Sequence, residues 1–194
     1  MIVSRLRRLA PVLGATLLSL AAHAPAWAQR VTLDTSLGEV VIELDAAKAP
    51  KSVANFVEYV KAGHYDGTVF HRVIPNFMIQ GGGFEAALTQ KPTRAPISLE
   101  SRNGLNNVRG SVAMARTNVP DSASAQFFIN LKDNAFLDAA NSPDGHGYAV
   151  FGKVVSGMDV VDKIAAVPTA NKGPHQNVPV TPVMIRKATL EGTK

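Results

Sequence analysis

The feature of this sequence that most limits its possible folds is its punctuation. Short apolar runs recur from Val31 to Leu190, and Gly, Asn, Asp or Pro cuts nearly every one before it could grow into a long helix. The runs are Thr68–Ile74, Phe77–Gln80, Ile97–Leu99, Ser111–Ala115, Gln126–Asn130, Ala149–Val155 and Pro182–Leu190. Ahead of them, Val31–Leu44 predicts a hairpin. Val31 and Leu33 alternate with polar residues, Thr35-Ser36-Leu37-Gly38 has turn chemistry, and Val40, Ile42 and Leu44 alternate again. Two segments carry the helical period instead. Over Pro50–Ala62, Val53, Phe56, Val57 and Val60 fall on one face and Lys51, Glu58 and Lys61 on the other, with Gly63 suited to a left-handed end. Over Met158–Ala165, Met158, Val161, Ile164 and Ala165 share a face, and Pro168 marks the far limit. Many short strands beside two helices predict a mainly β domain, either a sandwich or a closed barrel, and periodicity alone does not choose between them.

Composition narrows the chemistry. The 194 residues are 46% hydrophobic and 18% charged, too apolar for disorder. With no cysteine, disulfides, thiolate nucleophiles and cysteine-zinc sites are excluded, so stability must come from a packed core. The formal charge is +5, but Arg5, Arg7 and Arg8 supply three of the 20 basic residues in a stretch without acids, leaving 17 against 15, or +2. That is no nucleic-acid footprint.

Those three arginines form the positive end of a secretory signal. Leu9–Ala22 is its apolar region and Ala26-Trp27-Ala28 its cleavage site, so residues 1–28 are expected to be removed and 29–194 to form one exported domain. The apolar run is shorter than the ~20 residues a spanning helix needs, so no stable membrane association is expected after cleavage.

The stretch from Phe70 to Phe84, FHRVIPNFMIQGGGF, holds most of the chemical information. In an uninterrupted strand from Thr68, Phe70, Arg72 and Ile74 share a face, and His71 and Val73 take the other. Arg72 then has apolar company. Taken alone, it reads as an edge arginine reaching solvent or a carboxylate. Likewise Phe77, Met78, Phe128 and Leu137 read individually as core. Gly81-Gly82-Gly83 lacks the following Lys-Ser/Thr of a phosphate loop and reads as a turn, and His64, His71, His146 and His175 lack metal-ligand spacing.

The stretch resembles the signature of the cyclophilin-type peptidyl-prolyl isomerases. The likeness continues in Gly110–Arg116, Ser124–Asn130, Asn134–Asp138 and Gly147–Val154, and extends more weakly over Val31–Leu190. The resemblance implies a mainly β fold, a closed eight-stranded antiparallel barrel capped by two helices, with a peptide groove outside. It implies that Arg72 is catalytic and that Gln80 positions it and the peptide. Phe77, Met78, Phe128 and Leu137 match the walls of a proline pocket, while His71, Ala115, Arg116, Gln126, Phe136 and Tyr148 match positions that contact the peptide or border the groove. No cofactor or metal is implied, and the expected partners are unfolded or proline-containing polypeptides met by a periplasmic monomer. Phe136 and Tyr148 stand where many eukaryotic relatives carry tryptophan and histidine, which disfavours tight cyclosporin binding. Arg116 replaces an asparagine common in relatives, which predicts a more cationic groove.

The implied chemistry is physically coherent. An X-Pro bond rotates against a barrier of about 18–20 kcal/mol because amide resonance resists twisting. At the twist the prolyl nitrogen recovers a lone pair, so a fixed donor aimed at it strengthens only in the transition state. A guanidinium supplies several donors in a rigid fork without titrating. Two rival readings make different structural demands: a proline-peptide-binding chaperone module with little turnover would use the same groove, and a lipocalin-like carrier needs a hollow barrel.

Overall fold

The computed structural model describes residues 29–192, so the signal-peptide reading of residues 1–28 lies outside the described residues. Ten strands and two α-helices follow in the order β1 (Arg30–Thr35), β2 (Gly38–Leu44), α1 (Pro50–Lys61), β3 (Arg72–Ile74), β4 (Met78–Gly81), β5 (Ser111–Met114), β6 (Phe127–Asn130), β7 (Val150–Ser156), α2 (Met158–Ala165), β8 (Thr169–Lys172), β9 (His175–Pro179) and β10 (Ile185–Glu191). Both expected helices form where the apolar spacing places them. In α1 the predicted face, Val53, Phe56, Val57 and Val60, is buried while Lys51, Glu58 and Lys61 are exposed.

Eight strands make one antiparallel sheet in the order β10-β1-β2-β7-β5-β6-β4-β3, and β8–β9 form a separate hairpin that the polar run Ala170–Asn177 did not advertise. The sheet curls, yet the fully closed barrel expected from sequence does not form, because no ladder joins β3 to β10. Residues 70–71 leave strand geometry and Pro182 has no N–H to donate, so the gap is spanned only by the isolated Val69–Met184 bridge and scattered backbone bonds. Among these, Gly67 N–H donates to Ile185 C=O (2.9 Å) and Phe70 N–H to Val183 C=O (2.9 Å).

Alternation along the strands sorts residues into two separate apolar clusters. Leu33, Ile42, Val73, Ile79, Val112, Met114, Phe127, Ile129 and Phe151 point inward, where Phe56 of α1 meets Phe151 and Phe127 with ring centroids 5.0 and 5.5 Å apart. The interior is filled by side chains, leaving none of the hollow that a carrier of the lipocalin type requires. On the other side of the same strands, Met78, Ala113, Phe128, Leu137 and Val150 make a second cluster with Ile74, Phe77, Leu105, Ala115 and Tyr148 packed against it. The break before β3 also corrects one expectation. Phe70 does not share a face with Arg72 but turns into the interior beside Val73, because strand alternation starts only at Arg72.

Candidate active site

The β3–β4 hairpin sets Arg72 directly opposite Gln80, and β4 in turn sets Gln80 opposite Phe128 of β6, which faces Ala113 of β5. Cross-strand partners stand close on one face of a sheet, so this register alone aligns a cation, an amide and an aromatic ring in one row. The next row along, Val73, Ile79, Ile129 and Val112, points into the core and anchors the first. The hairpin turns at Pro75-Asn76, where Asn76 takes φ 58°, and Phe77 N–H closes on Ile74 C=O (3.1 Å). Phe77 is thereby carried to the edge of the outer cluster.

A cavity of about 100 Å³ opens on this face, lined by Arg72, Phe77, Met78, Gln80, Ala115, Arg116, Phe128, Leu137 and Tyr148. Nine of the residues expected from sequence therefore meet in one notch. Two larger clefts, about 640 and 970 Å³, contain none of them. Gln126 stands just outside, where its Oε1 accepts from Gln80 Nε2 (2.9 Å), and Gln80 Oε1 in turn accepts from Arg72 Nη1 (3.4 Å). Among the described residues Arg72 has no carboxylate within ion-pairing distance. Its guanidinium is half-buried and steadied by an amide, with donors left over. Phe136 lies exposed at the rim, its ring stacked on Phe77 at 5.6 Å.

Two residues sit differently from the sequence picture. His71 does not line the notch. It is buried against Phe84 (centroids 4.6 Å apart), its Nδ1 has no partner, and burial, with His175 and Arg72 contributing, pushes its pKa down to about 4. Arg116 does not make the groove cationic, because its guanidinium is spent internally. The side chain is only 2% exposed and pairs with Asp144, whose carboxyl it holds well below the usual carboxylate range.

Sequence reasoning missed a buried amide chain behind the notch. Asn134 Nδ2 donates to Phe77 C=O (2.9 Å) and to Asn130 Oδ1 (2.7 Å), and Asn130 Nδ2 donates to Asn107 Oδ1 (3.1 Å) and Ser111 Oγ (2.9 Å). Asn107 continues to Asp138 Oδ1 (2.9 Å). Leu137 N–H bonds Asn134 C=O (2.8 Å), so two pocket walls hang on Asn134. Asn130 and Asn134 are fully buried, and Ser111 and Asn130 sit at strand ends while Asn134 and Asp138 flank the short 3-10 turn Ala135–Leu137, positions where such residues usually signal nothing more than turns.

Among the described residues no group of three or more His, Asp or Glu side chains is placed to hold a metal ion. What the arrangement can do is grip a small apolar ring beside a fixed, permanently charged donor.

The comparisons agree with that geometry. The profile of the cyclophilin type peptidyl-prolyl cis-trans isomerase family matches residues 30–190. A peptidyl-prolyl cis-trans isomerase of Acinetobacter baylyi is 59% identical over 93% of this chain and 93% of its own length. Peptidyl-prolyl cis-trans isomerase A of Dickeya dadantii is 55% identical over 90% of this chain and 93% of its own. A crystal structure of a cyclophilin type isomerase from Cryptosporidium parvum, 25% identical, superposes with a TM-score of 0.74 over 87% of this chain and all of that one. From the notch, the curled sheet and these relatives together it follows that the chain belongs to the cyclophilin-type peptidyl-prolyl cis-trans isomerases.

Proposed function

We propose that the notch turns X-Pro bonds without covalent chemistry, with Arg72 as the group that favours the twisted imide. Phe77, Met78, Phe128 and Leu137 hold the proline ring, and the acyl side rotates. The Arg72 fork holds a peptide carbonyl with one edge and directs another N–H at the prolyl nitrogen as its lone pair localises. Gln80, itself tied to Gln126, limits the swing of the guanidinium. Ala115, Tyr148 and Phe136 border the path of the chain on either side of the proline. Exclusion of water by the apolar walls keeps the donor available. A further crystal of the Cryptosporidium parvum relative was obtained in the presence of the dipeptide Ala-Pro, which supports a prolyl peptide as the occupant here.

The observation that carries this reading is an arginine with no carboxylate partner among the described residues, beside a cavity of single-ring size walled by Phe77, Met78, Phe128 and Leu137. A holding module without turnover would need the cavity but no free donor. Activity of residues 29–194 on a cis-enriched proline peptide, followed by trans-specific proteolysis, tests it. Arg72→Ala is expected to lower kcat/KM by about 10²–10³, the usual cost of losing one preorganised donor. A folded Arg72→Ala protein with near-normal kcat/KM would remove Arg72 from the mechanism.

The same reading places the reaction outside the cytoplasm, in an exported monomer that assists the folding of secreted chains in the periplasm. Support comes from the arginine-rich, apolar, A-x-A-terminated stretch of residues 1–28. Fractionation of cells expressing the full chain tests it. Retention in the cytoplasm at full length would refute it.

A further inference from the structure

Arg116 follows the last residues of β5 and spends all of its guanidinium inside the protein. Nε donates to Gly147 C=O (2.8 Å), Nη1 to Thr117 C=O (2.9 Å), and Nη2 binds the Asp144 carboxylate. Its Cζ lies 4.6 Å from the centroid of the Tyr148 ring, and that ring meets Phe128 at 82° with centroids 5.6 Å apart. Asp144 is held in turn by Ser142 Oγ (2.7 Å) and His146 N–H (2.9 Å). Gly147 takes φ 64° and passes so close to the segment after Leu137 that a Cβ there would lie 2.5 Å from Ala139 N. Tyr148 N–H bonds Leu137 C=O (2.9 Å). The loop 142–148 is thus fastened to β5 on one side and to a pocket wall on the other, and Arg116 is the fastener.

We propose that Arg116 and Asp144 form a clamp that positions Tyr148 as the outer wall of the proline pocket, so that they set how tightly the peptide is held and leave the catalytic donor alone. A cation over the face of a tyrosine is attracted to the ring, and more strongly when both are withdrawn from water. A planar guanidinium can lie flat on the ring while donating in its own plane, which an ammonium cannot. Phe128 is then buttressed by a ring that has nowhere else to go. A wall of this kind contacts the proline equally in the planar and twisted states. It contributes uniform binding, whose loss appears in KM while kcat stays. The proposal rests on the assignment of the notch as the proline site, and the Arg72→Ala result judges that assignment separately.

The test is the KM and kcat of Asp144→Asn and Arg116→Met, from initial rates over a range of a cis-enriched proline peptide. Asp144 lies outside the notch and is partly exposed, so its variant is expected to fold even if Arg116→Met does not. Asp144→Asn is expected to raise KM about fivefold and Arg116→Met about tenfold or more, as uniform binding is lost. Partial unfolding instead lowers kcat at constant KM. Arg116→Lys is expected to recover thermal stability relative to Arg116→Met but to keep the raised KM, since it restores the charge and not the plane. A KM within threefold of the unaltered protein in every variant that folds overturns the clamp, whatever kcat does, and so does full recovery of KM by lysine.

Discussion

Replacing Asn134 by alanine removes the donor on which the back of the pocket hangs, and the structure sets the scale of the loss. Asn130 Oδ1 accepts only from Asn134 and would be left buried and unpaired, at a cost of about 2 kcal/mol. Phe77 C=O keeps a second donor, Leu131 N–H at 3.0 Å, so losing the Asn134 bond there costs only about 1 kcal/mol. The missing side-chain atoms add roughly 1 kcal/mol of lost packing. In the other direction, Asn134 Oδ1 is itself buried without a partner, and deleting it returns about 1 kcal/mol. The net expectation is about 3 kcal/mol, read as a fall of about 6–12 °C in Tm for a domain of this size. Asn134→Asp sharpens the test, because a carboxylate of the same shape would face two oxygens. Its folded pKa would rise above the ordinary ~3.9, so the folded state binds the proton more tightly and the penalty grows as pH rises. Urea denaturation at pH 5 and pH 8 is the assay. The reasoning fails if Asn134→Ala costs under about 0.5 kcal/mol, or if Asn134→Asp is less destabilising at pH 8 than at pH 5.

His71, with its pKa lowered from 6.5 to about 4 chiefly by burial, binds its proton more readily in the unfolded chain. Stability from this group is therefore complete above pH ~6.5 and drains away as pH falls toward ~4, by about 3 kcal/mol in all. His71→Phe is expected to flatten that part of the urea midpoint against pH profile, and an unchanged slope would refute the assignment. The first turn of α1 has no cap from its own neighbour. Instead Glu100 accepts from Lys51 N–H (3.0 Å), Ser52 N–H (2.8 Å) and Ser52 Oγ (2.7 Å), so Glu100→Ala should cost about 1–2 kcal/mol by chemical denaturation, and a change below 0.3 would deny it the role.

The elements that sequence periodicity located are those that bury one face. Val31, Leu33, Val40, Ile42 and Leu44 alternate as a half-buried hairpin must, and all five are buried. Residues of α1 and α2 repeat every three or four positions for the same reason. The β8–β9 hairpin escaped because burial leaves almost no mark on it, with only its last two residues, Val178 and Pro179, buried. Phe70 was misplaced because a two-residue break in strand geometry resets the parity of everything before it, and parity errors move a side chain to the opposite face. The lining of the notch was legible as a set only through the motif, since Met78 and Phe128 are as apolar as core residues and also count as buried. Arg116 was misjudged for a different reason. Its counter-charge lies 28 positions away in sequence, and no local pattern announces that a cation will be neutralised by tertiary contact.

The two clusters of this sheet are made by the same strands, and that shared origin bears on how the site can work. Ile79 packs inward between Met78 and Gln80, which face the notch, and Ile129 does the same beside Phe128. A strand cannot move its outward residues without moving its inward ones, and a filled interior resists such movement. Arg72, Gln80 and Phe128 therefore inherit their spacing from the core rather than from contacts with each other, which amount to a single 3.4 Å hydrogen bond from Arg72. Preorganisation of this origin suits a reaction in which no proton or bond is exchanged and only the aim of a donor matters. It also means that interior truncations such as Ile79→Ala act on the donor through its backbone. Interior and notch are then coupled: activity below the melting transition tracks the repacking of a cluster that touches no substrate.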